Sequence, residues 1–140
     1  MVGIICGQKG KGKTKFLLEQ ANEAAEKSNG SVVYLDKSSK HMFELNNKIR
    51  LINMKEYPID SYDGVVGFIS GLLSGNHDID NVFFDNFLKV AGVEDDTSKI
   101  SDFISVLDKV GGSDVKFTVC ICLDKSELPD DVLDKITVAC

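Results

Sequence analysis

The chain is expected to fold as an α/β domain around a mainly parallel sheet. Three observations lead there. Short apolar runs alternate with segments of helical periodicity along the whole length. Phe117 to Leu123 is a long apolar run, typical of a buried central strand. Residues 7–14 read Gly-Gln-Lys-Gly-Lys-Gly-Lys-Thr between a strand-like and a helix-like segment, which fits the form G-x-x-x-x-G-K-[ST] of a phosphate-binding loop.

Val2-Gly3-Ile4-Ile5-Cys6 reads as the first strand. Phe16 to Lys27 reads as a helix, with Phe16, Leu17, Leu18, Ala21, Ala24 and Ala25 at helical spacing and a stop near Asn29-Gly30. Ser31 to Leu35 forms a second strand ending at Asp36. A short helix is expected over 38–47, carrying Met42 and Leu45, and a short strand over Ile49 to Met54. From about Ser61 to Ser74 a helix places Val65, Val66, Ile69, Leu72 and Leu73 inward. Gly64, Gly67 and Gly71 weaken it but would permit close packing on the sheet, and Gly75-Asn76 stops it. Val82-Phe83-Phe84 is a strand ending at Asp85. The clearest helix follows Thr97, a candidate N-cap, with Ile100, Phe103, Ile104, Leu107 and Val110 on one face and Gly111-Gly112 as its stop. A turn around Pro129 leads to a last strand, Ile136 to Ala139.

At 140 residues and 43% hydrophobic, the chain suits one domain, 1–140, with a sizeable core. The net charge of −6 argues against general nucleic-acid or anionic-membrane binding. No run approaches the ~18 apolar residues of a membrane span, and no signal peptide is expected. Cys6, Cys120, Cys122 and Cys140 read as reduced thiols, mostly buried, and no second ligand pair accompanies Cys120 and Cys122. A reducing cytoplasm fits best.

The chemistry concentrates in the loop. Gly7, Gln8, Lys9, Gly10, Lys11, Gly12, Lys13, Thr14 and Lys15 are the expected phosphate-binding residues. Glycines let backbone N–H groups turn inward around phosphate oxygens. Lys13 would reach the β- and γ-phosphates, and the Thr14 hydroxyl would ligate Mg²⁺. Asp85, closing an apolar strand, is the expected second Mg²⁺ residue, acting through water. Asn86 follows it, so the common Asp-Glu pair is absent. Asp36, at the end of a strand, is the candidate to orient water onto the γ-phosphate; a turn cap for the next segment is the even alternative. Asp124 and Lys125 follow the long strand, where a γ-phosphate sensor is possible but a surface turn is favoured. Arg50 is the sole arginine and is not near the loop in sequence, so the charge of an arginine finger is expected from a partner or a second subunit. His41 and His77 read as surface residues, and Tyr34 and Tyr57 as core or rim packing ahead of base stacking. No N-K-x-D stretch is present to read guanine, which leans toward ATP.

With these residues in hand, the chain resembles P-loop NTPases, and within them the RecA-like ATPase core found also in replicative helicases. Val32-Val33-Tyr34-Leu35-Asp36 is similar to that family's second strand, which ends in an acidic catalytic base, usually Glu. Phe83-Phe84-Asp85-Asn86-Phe87-Leu88 looks like the Walker B strand and its tail, and Cys120-Ile121-Cys122-Leu123 like the strand inserted between the two Walker strands. The resemblance implies a three-layer fold with strand order 5-1-4-3-2, Mg-ATP as ligand, and catalytic roles for Lys13 and Asp36. Short bacterial P-loop chains of this kind are sometimes labelled twitching-motility ATPases; no acidic or histidine box supports that role here. A slow ATPase is the leading expectation. A nucleotide-dependent switch without turnover and, behind it, a small-molecule kinase are the alternatives.

Overall fold

The computed structural model describes residues 1–140. Six strands form one sheet: β1 (Val2–Cys6), β2 (Ser31–Asp36), β3 (Ile49–Asn53), β4 (Ile79–Phe84), β5 (Lys116–Ile121) and β6 (Ile136–Ala139). Four helices accompany them: α1 (Lys13–Lys27), α2 (Tyr62–Gly75), the single-turn α3 (Phe87–Val90) and α4 (Ser98–Gly111). The sheet order is β3-β2-β4-β5-β1-β6, and every pairing is parallel.

This order differs from the expected 5-1-4-3-2. The segment 49–53 pairs along the outer side of β2, with Val33 opposite Arg50 and Leu35 opposite Ile52. It thereby becomes a sixth strand at the edge, a strand expected from the sequence but given no place in that five-strand order. β5 stands between β1 and β4.

Pleating sends alternate residues to opposite faces, and both faces are covered. Val32 and Tyr34 point toward α1, where they pack with Ile5, Phe83, Cys120, Leu17, Leu18, Ala21 and Ala25. Val33 and Leu35 point the other way, into a larger core built with α2, α3 and α4. There Phe103 stacks on Phe87 with ring centroids 3.9 Å apart and meets Phe84 edge-on at 6.0 Å. The molecule is thus three-layered, and its strands are apolar on both sides, which explains their unbroken hydrophobic runs.

Several local expectations are corrected. The helix expected over 38–47 is only a 3₁₀ turn at Met42–Glu44; Phe43 there is 91% exposed, so no apolar face anchors a longer helix. α1 begins at Lys13 rather than Phe16, because the loop runs directly into the helix, and Phe16 is left partly exposed. Gly67 and Gly71 do not pack on the sheet: both are exposed, and a Cβ at either would meet nothing within 4 Å. Thr97 precedes α4 but its side chain caps nothing; Asp96 accepts the Ser98 N–H at 3.1 Å instead. Cys122 lies past the end of β5 and, like Cys140, is only half-buried; all four cysteines are free thiols.

Candidate functional site

Because all strands run the same way, their C-terminal ends share one edge of the sheet, where ligands of open α/β folds bind. Gly7 leaves β1 at this edge, and its N–H donates to Leu123 O at 2.8 Å. The loop then folds over the end of the sheet. Gly10 and Gly12 take φ of 86° and 85°, a left-handed region that side-chain-bearing residues enter at a cost of roughly 1–2 kcal/mol. Gly12 is the residue from which α1 starts, so the loop ends on the N-terminus of a 15-residue helix. Helix N–H groups and the helix dipole there favour an anion.

Lys13 is 6% exposed, and its Nζ donates to Gln8 O at 3.0 Å, across the loop it belongs to. Lys9, Lys11 and Lys15 are exposed. Thr14 turns inward from the first turn of α1, and its hydroxyl donates to Asp85 Oδ2 at 3.0 Å. These two residues are 71 positions apart in sequence. The parallel sheet unites them: β1 and β4 both flank β5, and each delivers its C-terminal residue to the same edge.

Asp36 and Asp85 sit side by side at the ends of β2 and β4. The β-register sets Leu35 opposite Phe84, and the Asp85 N–H donates to Leu35 O at 2.9 Å. Both carboxylates are nearly sealed from solvent, at 1% and 2% exposure. Burial, reinforced by the negative charge of Asp36, raises the pKa of Asp85 above the usual carboxylate value, against the bonds from Thr14 and the Asn86 N–H. Tyr34 lies beneath, fully buried, with its hydroxyl donating to Asp85 Oδ2 at 3.4 Å. Burial, and after it the charge of Asp85, pushes the Tyr34 phenol upward, so it remains a donor.

Asn86 joins the two acids. Its N–H donates to Asp85 Oδ1 at 3.0 Å and its Nδ2 to Asp36 Oδ1 at 3.1 Å. It is also the one non-glycine residue with positive φ, 58°, a conformation asparagine tolerates better than most. The Lys37 N–H donates to the same Asp36 oxygen at 2.7 Å. Asp36 Oδ2 has no partner at all. A buried carboxylate oxygen without a partner is costly, and a cation or water held by the loop would satisfy it. The donor set of Thr14, Asp85 and Asp36 is all oxygen, as a hard divalent cation such as Mg²⁺ prefers.

Other expectations fall outside this cluster. Asp124 caps the 3₁₀ turn Lys125–Glu127, accepting from the Ser126 N–H at 3.1 Å, while Glu127 bonds back to the Asp124 N–H at 3.0 Å. Lys125 is exposed on that turn. Arg50 is exposed on the edge strand β3, and His77 is exposed beyond α2. His41 lies beside Glu44, 3.3 Å away. Tyr57 packs at the rim against Phe68, centroids 5.9 Å apart. Two contributors to the cluster go beyond the sequence expectations: the Tyr34 hydroxyl and the Asn86 side chain. Asparagine's tolerance of the left-handed region is the one signal for Asn86 that the residue type carries.

No helix is long and apolar enough to cross a membrane. The chain matches no protein-family profile and no curated protein. Among solved structures it is similar to PCH-2 from C. elegans, with a TM-score of 0.52 and 15% sequence identity over 98% of this chain and 34% of that one. The chain therefore spans about a third of that protein's length, and at this identity the likeness speaks for the fold alone. That fold is a three-layer α/β arrangement on an all-parallel sheet, compatible with the P-loop class.

Proposed function

We propose that this chain is a single nucleotide-binding domain that takes Mg-ATP on the loop Gly7–Lys15 and hydrolyses it slowly. The observation that carries the reading is the bond from Thr14 Oγ1 to Asp85 Oδ2. It joins the last residue of the phosphate-loop motif to a buried carboxylate from a distant strand, beside a second carboxylate with a free oxygen. In this reading the loop N–H groups and the start of α1 hold the β- and γ-phosphates, and Lys13 neutralises their charge. Thr14 would ligate Mg²⁺ directly and Asp85 through water. Bound Mg²⁺ would supply charge neutralisation across the β- and γ-phosphates.

Asp36 is assigned the water. Its Oδ1 is held by the Lys37 N–H and by Asn86 Nδ2, which leaves Oδ2 to accept a proton from an attacking water. Attack on the γ-phosphorus breaks its bond to the bridging oxygen and leaves ADP and phosphate. Aspartate is shorter than glutamate, so water would be held at longer reach and turnover would be low. The lack of a guanine-reading N-K-x-D stretch favours ATP over GTP.

Phosphate release from Mg-ATP by the purified protein tests this, with Lys13→Ala and Asp36→Asn alongside. Release is expected in the wild type and should fall toward background in both variants. A Lys13→Ala rate equal to wild type would sink the assignment. Saturable nucleotide binding without release would instead favour a switch whose output is a protein contact.

A further inference from the structure

The edge of the sheet carries a second cationic feature that the phosphate loop does not account for. A cavity of about 240 Å³ opens beside the loop; its polar lining is Lys9, Lys37, Asn86, Lys89 and Glu94, and the rest is apolar side chains and cysteines. A neighbouring cavity of about 240 Å³ shares Lys37 and Lys89 and adds Lys55 and Asp60. Lys37 follows the catalytic candidate Asp36 directly, and Lys89 stands on α3, three residues after Asn86. The two cavities therefore meet at a lysine pair, next to the oxygen-rich cluster.

None of these four lysines has a carboxylate within 4 Å; the ion pairs of the structure use Lys27, Lys135, His41 and the N-terminus. This is unusual in a chain with 22 acidic residues against 16 basic ones. Lys37 and Lys89 line both cavities, joined by Lys9 in the first and Lys55 in the second. Like charges so arranged repel, and an anion seated between them removes the repulsion. Glu94 and Asp60 are the acids lining the two cavities, and neither pairs with a lysine.

We propose that Lys37 and Lys89 form an oxyanion site for a phosphate-type group, in the cavity that Lys9 also lines. The occupant is either the terminal phosphate of a nucleotide on the loop or the phosphate of a second small molecule. In the first case the pair supplies within this chain the positive charge that one arginine, Arg50 on the far edge strand, does not. In the second it marks an acceptor or effector site. The site deepens the nucleotide reading, and only the first case rests on it.

Phosphate titration and nucleotide affinity together provide the test, on wild type, Lys37→Gln and Lys89→Gln. Both lysines are half-buried or exposed, so the glutamine variants are expected to fold, and unfolding midpoints would check this. Inorganic phosphate is titrated first onto protein carrying Lys13→Ala, which weakens the loop as a competing anion site. The expected result is binding that falls at least tenfold when Lys37→Gln or Lys89→Gln is added.

The ratio of ATP to ADP affinity then separates the sources. A ratio that collapses in Lys37→Gln and Lys89→Gln identifies the terminal phosphate. An unchanged ratio, with phosphate still binding beside a non-hydrolysable ATP analogue, identifies a second molecule. Phosphate binding and affinity ratio both unaltered by the two variants would overturn the lysine site. Failure of ATP and ADP to bind at all would overturn the nucleotide reading, while the phosphate titration would still decide the lysine pair.

Discussion

Replacing Asn86 separates two physical roles held by one side chain. Its Nδ2 bonds a buried carboxylate at 3.1 Å, and its backbone sits at φ 58°. A hydrogen bond to a charged, buried acceptor contributes about 1.5–3 kcal/mol. Asn86→Gly removes that bond and keeps the backbone unstrained, so a loss of about 2 kcal/mol is expected. Asn86→Ala removes the same bond and adds left-handed strain of about 1–2 kcal/mol. Glycine's greater freedom in the unfolded chain returns roughly 0.5–1 kcal/mol of that difference. Alanine should therefore be the less stable variant by about 0.5–1 kcal/mol.

Urea unfolding measures this directly. With a slope of about 2 kcal/mol per molar, Asn86→Gly should lower the midpoint by about 1 M, and Asn86→Ala by a few tenths more. Asn86→Asp tolerates the same backbone but sets a third carboxylate against Asp36 and Asp85. It should be the least stable of the three without divalent cation and should gain most from added Mg²⁺. An Asn86→Gly midpoint within 0.2 M of wild type would refute the claim that this bond organises the acids. Alanine equal to or better than glycine would refute the backbone part.

Three further outcomes are expected. Asp85 has its pKa raised in the fold, chiefly by burial and next by Asp36, so the native state binds its proton more readily than the unfolded chain does. Its contribution to stability therefore declines as pH rises from the unfolded value of about 3.8 through the folded one. The stability of Asp85→Asn relative to wild type should improve across that window and level off above it; unfolding free energies from pH 4 to 7 would falsify this if the trend ran the other way. Gly67→Ala and Gly71→Ala lie on the exposed face of α2 with open space around each Cβ, and each should stabilise by about 0.5–1 kcal/mol, read as a higher Tm. At Gly30 a Cβ would stand 2.1 Å from the Asp78 carbonyl oxygen, so Gly30→Ala should cost at least about 1–3 kcal/mol; a thermal midpoint equal to wild type would show that the turn can move aside.

Gly30 also illustrates how far the chain could be read before folding. From its place after a helix, Gly30 reads as a stop signal. The stronger reason for glycine is tertiary: the Ser31 N–H donates to Asp78 O at 2.7 Å, bringing two strand entries into contact. The same limit applies to Gly67 and Gly71, whose spacing suggested packing although the helix turned that face outward. Periodicity says which residues share a face. It does not say which way a weakly amphipathic helix is rotated, because that is set by the competing faces of its neighbours.

The glycine-rich loop between β1 and α1, the two-sided apolar strands and the acids that end β2 and β4 were legible in the residues themselves. Each depends on local chemistry: glycine's backbone freedom, the period of a strand, a polar residue closing an apolar run. The place of 49–53 in the sheet was not legible. Pairing of 49–53 with β2 is decided by which edge remains open once the other strands have paired, a competition among segments far apart in sequence. Nor was the meeting of Thr14 with Asp85 or of Asn86 with Asp36. Those contacts exist because parallel strands of different sequence position end at one edge, and only the folded sheet brings those ends together.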